Sequence, residues 1–189
     1  MPASAGTSWV SVGVGYSHTA AVRSDGALLA WGSSGSGQLG DGTTVSKSSP
    51  VQIGASSWTA VACVDAATAA IKLDGTLWAW GLNSAGQLGD GTTVNKSSPV
   101  QIASGSFAQI SAGASHFMAL DSTNKLWTWG WGNAQQVLNI NFDQVIAGRA
   151  HTATLRQGTL TVWGRGDEGQ LGQGNTLAQS NPVVVPAAM

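Results

Sequence analysis

Three histidines stand at one recurring place in the chain: His18, His116 and His151. Imidazole titrates near neutral pH, so a repeated histidine raises general acid–base catalysis and metal ligation. A catalytic base is normally unique and held by an orienting carboxylate or set beside a nucleophile, and neither accompanies these three. Each precedes Thr or Phe, and Ala67 fills the equivalent place in the remaining copy. That pattern is the mark of a structural hydrogen-bonding group. Three scattered His and one Cys lack zinc-ligand spacing. No Gly-x-Ser-x-Gly, His-Glu-x-x-His or paired-carboxylate motif occurs, so the chain is expected not to be an enzyme.

Other residues with chemical potential give the same answer. Gly35-Ser36-Gly37-Gln38-Leu39-Gly40 satisfies a dinucleotide fingerprint, but Asp41-Gly42-Thr43-Thr44 follows where a helix must begin. The second copy reads Ser84-Ala85-Gly86. The glycines suit a tight excursion between strands, with Leu39, Leu88 and Leu171 plugging into a core. Asp41 and Asp90 each offer one carboxylate where calcium wants several converging oxygens, and Gln173 replaces them in the last copy. Asp-Gly is turn chemistry. Cys63, in the apolar run Val61-Ala62-Cys63-Val64, is an inert buried thiol. No cofactor and no metal are expected.

These residues are positioned by a repeat. Residues 28–53, LLAWGSSGSGQLGDGTTVSKSSPVQI, return at 77–102 as LWAWGLNSAGQLGDGTTVNKSSPVQI. Trp31, Trp80 and Trp129 are spaced by 49, and Trp163-Gly164 opens a fourth copy. Trp9, Trp58, Phe107 and Phe142 begin the units, which run over 9–57, 58–106, 107–141 and 142–189 of a single repeat domain. The third unit lacks the Gly-Gln-Leu-Gly loop and the Ser-Pro-Val strand, and is expected to miss both loop and outer strand. Inside each unit the period is two: Trp9–Val14 alternates, His18–Val22 follows, Ser24-Asp25-Gly26 turns the chain, and Ala27–Trp31 returns. Asn124 stands where units one and two have Gly26 and Gly75, a residue that tolerates positive φ. Gln157-Gly158 makes the last hairpin turn one residue shorter.

Four strands per unit and a period near 49 specify an all-β fold, a β-propeller of four units with the third truncated. Trp31, Trp80, Trp129 and Trp163 become buried wedges between blades. The three histidines come near the propeller axis, and Trp131, outside the repeat positions, is free to be a surface contact. The combination of Trp-Gly, the Gly-x-x-His of Gly15–His18 and Gly113–His116, Gly-Gln-Leu-Gly-Asp-Gly-Thr and Ser-Pro-Val resembles regulator-of-chromosome-condensation repeats over nearly the whole chain.

With 8 basic and 9 acidic residues in 189, the chain has neither a nucleic-acid footprint nor a polybasic membrane patch. No apolar stretch reaches spanning length and no signal peptide is visible, so a cytoplasmic or virion location is expected. The resemblance implies exchange activity on a small GTPase only by fold analogy, because in the family that activity depends on a complete seven-bladed ring with loop insertions and a basic tail. Near-identical, charge-poor units favour a non-enzymatic assembly module, such as a capsid decoration, tail or fibre part of a phage particle. The alternatives are an exchange factor or regulatory GTPase-binding domain, or a propeller fragment of a larger signalling or ubiquitin-pathway protein. Four blades leave an arc open, so protein partners or self-association are expected to complete it.

Overall fold

Short apolar runs alternating at period two and punctuated by Gly, Asp and Asn build strands rather than helices. The computed structural model describes residues 8–55, 57–130 and 135–186, with the backbone alone for 135–140. The first sheet holds β1 (Trp9–Val14), β2 (His18–Arg23), β3 (Leu28–Gly32) and β4 (Lys47–Gln52). The second holds β5 (Trp58–Val64), β6 (Ala67–Lys72), β7 (Leu77–Gly81) and β8 (Lys96–Ala103). The third comprises β9 (Phe107–Ala112), β10 (Phe117–Asp121), β11 (Lys125–Trp129) and β12 (Gln135–Asn141). The fourth comprises β13 (Gln144–Ala147), β14 (His151–Arg156), β15 (Thr159–Gly164) and β16 (Gln179–Val184). Every sheet is antiparallel with its strands in chain order, the arrangement of a propeller blade.

First strands of successive blades meet one another: β1 packs on β5, β5 on β9 and β9 on β13. A relay of backbone hydrogen bonds runs along the turns that follow them. Tyr16 N–H donates to the Asp65 carbonyl (3.1 Å), Asp65 N–H to Ala114 (3.2 Å) and Ala114 N–H to Arg149 (3.1 Å). The relay has a direction, from each blade to the next.

Each blade therefore has two unlike faces, a back that meets the following blade and a front that meets the preceding one. Between blades one and two, the back residues Ala20, Val22, Leu28, Ala30, Leu39 and Ile53 close on the front residues Trp58, Val61, Cys63, Ala70 and Trp80. The same positions recur between blades two and three, where Ala69, Ile71, Leu77, Ala79 and Leu88 cover Phe107, Phe117, Ala119 and Trp129. Between blades three and four the set shrinks to Met118, Leu120 and Leu126 against Phe142, Val145, Ala147 and Trp163.

The third blade departs from the sequence expectation. It has an outer strand: β12 pairs with β11, through two register shifts, although no Ser-Pro-Val segment supplies it. Only the second half of β12, Leu138-Asn139-Ile140-Asn141, alternates at period two, and that suffices for an edge strand to complete a ladder. Truncation is confined to the loop. Elsewhere Pro50, Pro99 and Pro182 lie in outermost strands, where a missing N–H faces no partner.

Hairpin geometry follows residue type closely. Asn124 adopts φ 63° and its turn replaces the glycine turns of blades one and two, while Gln157 (φ 47°) and Gly158 (φ 78°) form the shortened one. The Asn124 carbonyl also accepts from Phe142 N–H at 2.8 Å, tying blade three to blade four. Asn124→Gly should leave the urea unfolding free energy within about 0.5 kcal/mol of the parent, whereas Asn124→Val should lower it by about 1–2 kcal/mol, since a β-branched side chain resists the left-handed region.

Candidate interaction surface

The face-to-face junction is the repeated structural site of this chain, and the one between blades one and two shows its full chemistry. His18 leaves β2 and reaches across to Thr68 on β6, with Nε2 and Oγ1 2.9 Å apart. Thr68 Oγ1–H donates to the Gln38 carbonyl at 2.8 Å, and Trp80 Nε1–H donates to the same oxygen at 3.0 Å. Because the threonine proton is committed to a carbonyl, which only accepts, the hydroxyl must accept from His18 Nε2–H. The imidazole is thus neutral with Nδ1 unprotonated, and that nitrogen has no partner among the described residues. Burial accordingly pushes the His18 pKa down to about 4.

Gly40 lets the blade-one loop lie on the indole. It sits at φ 82°, and a Cβ there would fall 2.5 Å from Trp80 Nε1. Glycine is required on both counts. Leu39 beside it is fully enclosed. No helix follows Gly35–Gly40; the chain turns at Asp41 and enters β4. Burial disfavours the Asp41 carboxylate, but the Thr43 hydroxyl and amide and the Lys47 ammonium outweigh it and hold its pKa below the usual range. Lys47 lies 3.4 Å away, and Lys96 pairs identically with Asp90. Both carboxylates are thus spent on their own loops. Burial pushes the Cys63 thiol up to about 12.

The next two junctions each lose part of this set. Between blades two and three, Ala67 stands for His18 and Phe117 for Thr68, so the polar bridge becomes an apolar contact. Phe117 stacks on Trp129 with centroids 5.5 Å apart at 17°. Trp129 Nε1 is left without a partner among the described residues. Between blades three and four the residues His116, Thr152 and Trp163 remain, but the loop that would cap Trp163 is absent. Thr152 Oγ1–H turns instead to Met118 Sδ at 3.5 Å. Burial, reinforced by the like charge on His151, lowers the His116 pKa.

Those losses decide the fate of the four repeat tryptophans. Trp80 and Trp129 are buried. Trp31 and Trp163 are partly buried, less enclosed than the other two because among the described residues no blade covers Trp31 and no loop covers Trp163. His18 is buried, while His116 and His151 are half-buried. Trp131 lies outside the described residues. The partners Thr68, the Gln38 carbonyl and Phe117 were missed by sequence reasoning; the signal was the paired variation of neighbouring units, Ala67 with Phe117 against His18 with Thr68.

At the two ends the faces are uncovered. On the blade-one front, Trp9 (55% exposed), Val12 (64%) and Val14 (69%) occupy the positions that Trp58, Val61 and Cys63 fill inside the next junction. On the blade-four back, Leu155 (37%) and Leu160 (42%) occupy those of Val22 and Leu28. These two open faces match the two halves of an internal junction. Contiguous exposed apolar faces of this kind mark interaction sites.

Two measurements check the junction chemistry. Trp80→Ala should cost about 3–5 kcal/mol in denaturant unfolding, and Trp163→Ala less, about 1–3 kcal/mol, because Trp163 is only partly enclosed. A second test is the pH profile. Unfolded His18 takes up a proton near pH 6.5 and folded His18 only near pH 4, so its stabilisation is complete above 6.5 and lost as pH falls from 6.5 to 4. The loss should reach about 3 kcal/mol, and His18→Gln should flatten the profile in that window.

The family model for the regulator of chromosome condensation (RCC1) repeat matches residues 25–71, 74–120 and 157–189, and a second model of the same repeat matches 9–38, 58–87 and 107–136. No curated protein matches. Among solved structures, human WBSCR16 superposes with a TM-score of 0.87 at 24% identity, over 99% of this chain and 55% of that one. Prp20p from Saccharomyces cerevisiae, studied for its binding to Gsp1p and histones, gives 0.82 at 22% identity over 98% and 52%. Yeast RCC1 (Prp20) bound to Kap60 gives 0.83 at 19% over 98% and 50%. The chain spans about half the length of these structures, and the likeness is one of fold. By its matched repeats, the chain belongs to the regulator of chromosome condensation (RCC1) repeat family.

Proposed function

We propose that this chain is a non-enzymatic protein-binding module that works as a structural part of a larger complex, through blade faces that another protein completes. The observation that carries this reading is the pair of uncovered faces, which repeat in residue type the surfaces buried between its own blades. Support also comes from the Asp41 and Asp90 carboxylates and the Cys63 thiol, which are accounted for by turn geometry and by burial. The phage-particle version of this reading rests on the sequence alone, on near-identical units and scarce charge.

A second reading, guanine-nucleotide exchange on a small GTPase, is favoured by the fold shared with Prp20p. Against it stand the short neutral loops of this chain and the small share of those structures that it spans. Release of a fluorescent guanine nucleotide from a small GTPase separates the two. The module reading expects release at the uncatalysed rate with micromolar chain present; saturable acceleration would replace it with the exchange reading.

A further inference from the structure

We infer that the partner of the open faces is a second copy of this chain, docked head to tail so that two copies close one ring with a two-fold axis along the propeller axis. This rests on the protein-binding reading above and names its occupant.

The junction between blades one and two uses five groups: His18, the Gln38 carbonyl and Gly40 on the back, Thr68 and Trp80 on the front. The second junction has lost its His and Thr, and the third its loop. The two outer faces have lost nothing. Blade four presents His151, Gln170 and Gly172 in the back positions, and blade one presents Thr19 and Trp31 in the front ones. An outer face that met only solvent has no use for a complete half-junction; these two halves match each other.

Local geometry agrees. At Gly40 a Cβ would strike Trp80, and at Gly37 it would fall 2.5 Å from Ser97 of the following blade. At the equivalent Gly169 it would meet nothing within 4 Å, and at Gly172 only Val185 at 3.5 Å. That space is shaped for the Trp31 indole and for the strand carrying Ser48. The backbone relay extends by the same rule, with Arg149 N–H of one copy aimed at the Tyr16 carbonyl of the other.

Apolar residues follow suit. The exposed Leu155 and Leu160 correspond to Val22 and Leu28, and Val162 and Leu171, already buried within the chain, correspond to Ala30 and Leu39, the residues that cover Trp58 and Val61 at the first junction. Length sets the condition for closure: the chain superposes over 55% of human WBSCR16, so two copies supply eight blades, one more than the seven that the family resemblance implies, and each blade must take a narrower arc. Eight blades need about 45° each, within the range propellers adopt. A junction of unlike faces polymerises unless rotation closes it, and two half-rings close it.

The test is sedimentation of the chain at micromolar concentration. The expected species has twice the 19.1 kDa chain mass. Val12→Asp on the blade-one front and Leu160→Asp on the blade-four back should each give a chain of single mass with an unchanged far-UV spectrum. Mixing the two variants should restore a pair, because each retains the face that the other has lost. His151→Ala should weaken the dimer roughly a hundredfold, acting at both junctions, with Thr19→Val adding little on top. Should Val12→Asp fail to fold, the Leu160→Asp and His151→Ala variants carry the test. A stable species of single mass for the parent chain overturns the inference and leaves a different protein as occupant. So does a dimer that persists in Leu160→Asp, which indicates blade-one faces meeting each other, or an open-ended ladder of masses, which denies closure.

Discussion

A four-stranded blade with apolar residues on both sides cannot remain uncovered in water, and the rest of the structure answers to that constraint. Burying each face of a sheet against the next removes apolar area worth tens of calories per Å². It also dictates that both sides of the first strand be apolar, which is why β5 runs Val61-Ala62-Cys63-Val64 without a polar break, every one of these side chains buried. The matching strand β1 is largely exposed, because no described blade covers its front. Burial here belongs to junctions, and a residue's environment is set by its neighbour across the gap more than by its own blade.

Polar groups enter this dry contact only as a closed circuit. The Gln38 carbonyl uses both lone pairs, on Thr68 and on Trp80, and the threonine in turn fixes the tautomer of His18. Removing one member strands the others, so the elements change together. Where histidine became Ala67, threonine became Phe117, and the vacated volume is filled by an aromatic stacked on Trp129. The unpartnered Trp129 Nε1 is what remains of the circuit. A family of repeats can thus diverge at one junction without disturbing the next, provided that the two sides move as a pair.

Much of this was legible in the residues. The spacing of Trp31, Trp80 and Trp129 gave the blade period, Asn124 announced a turn with positive φ, and Asp41-Gly42 announced a turn in place of a helix after Gly40. Other features lay beyond a reading of units one by one. The outer strand of blade three has no signature because edge pairing asks only for alternation. The exposure of Trp31 and Trp163 depends on what lies opposite, which no single unit encodes. The His18–Thr68 contact spans fifty residues and becomes visible only when adjacent units are compared in pairs.

The loop missing from blade three bears on how the molecule comes apart. Leu39 and Leu88, in the loops of blades one and two, are buried at the first two junctions, whereas no equivalent leucine joins blade three to blade four among the described residues. Among the described residues, contact between those two sheets rests on a smaller apolar cluster and on hydrogen bonds that include Phe142 N–H to the Asn124 carbonyl, Ala114 N–H to the Arg149 carbonyl, Ala147 N–H to Ser111 Oγ and Thr152 Oγ1–H to Met118 Sδ. Sub-global opening follows the weakest seam, and in a single chain the shortened loop makes the junction between blades three and four the expected place for it to begin. Amides in β14 and β15 exchange with solvent through that partial opening, whereas those in β6 and β7 wait for the whole array to melt.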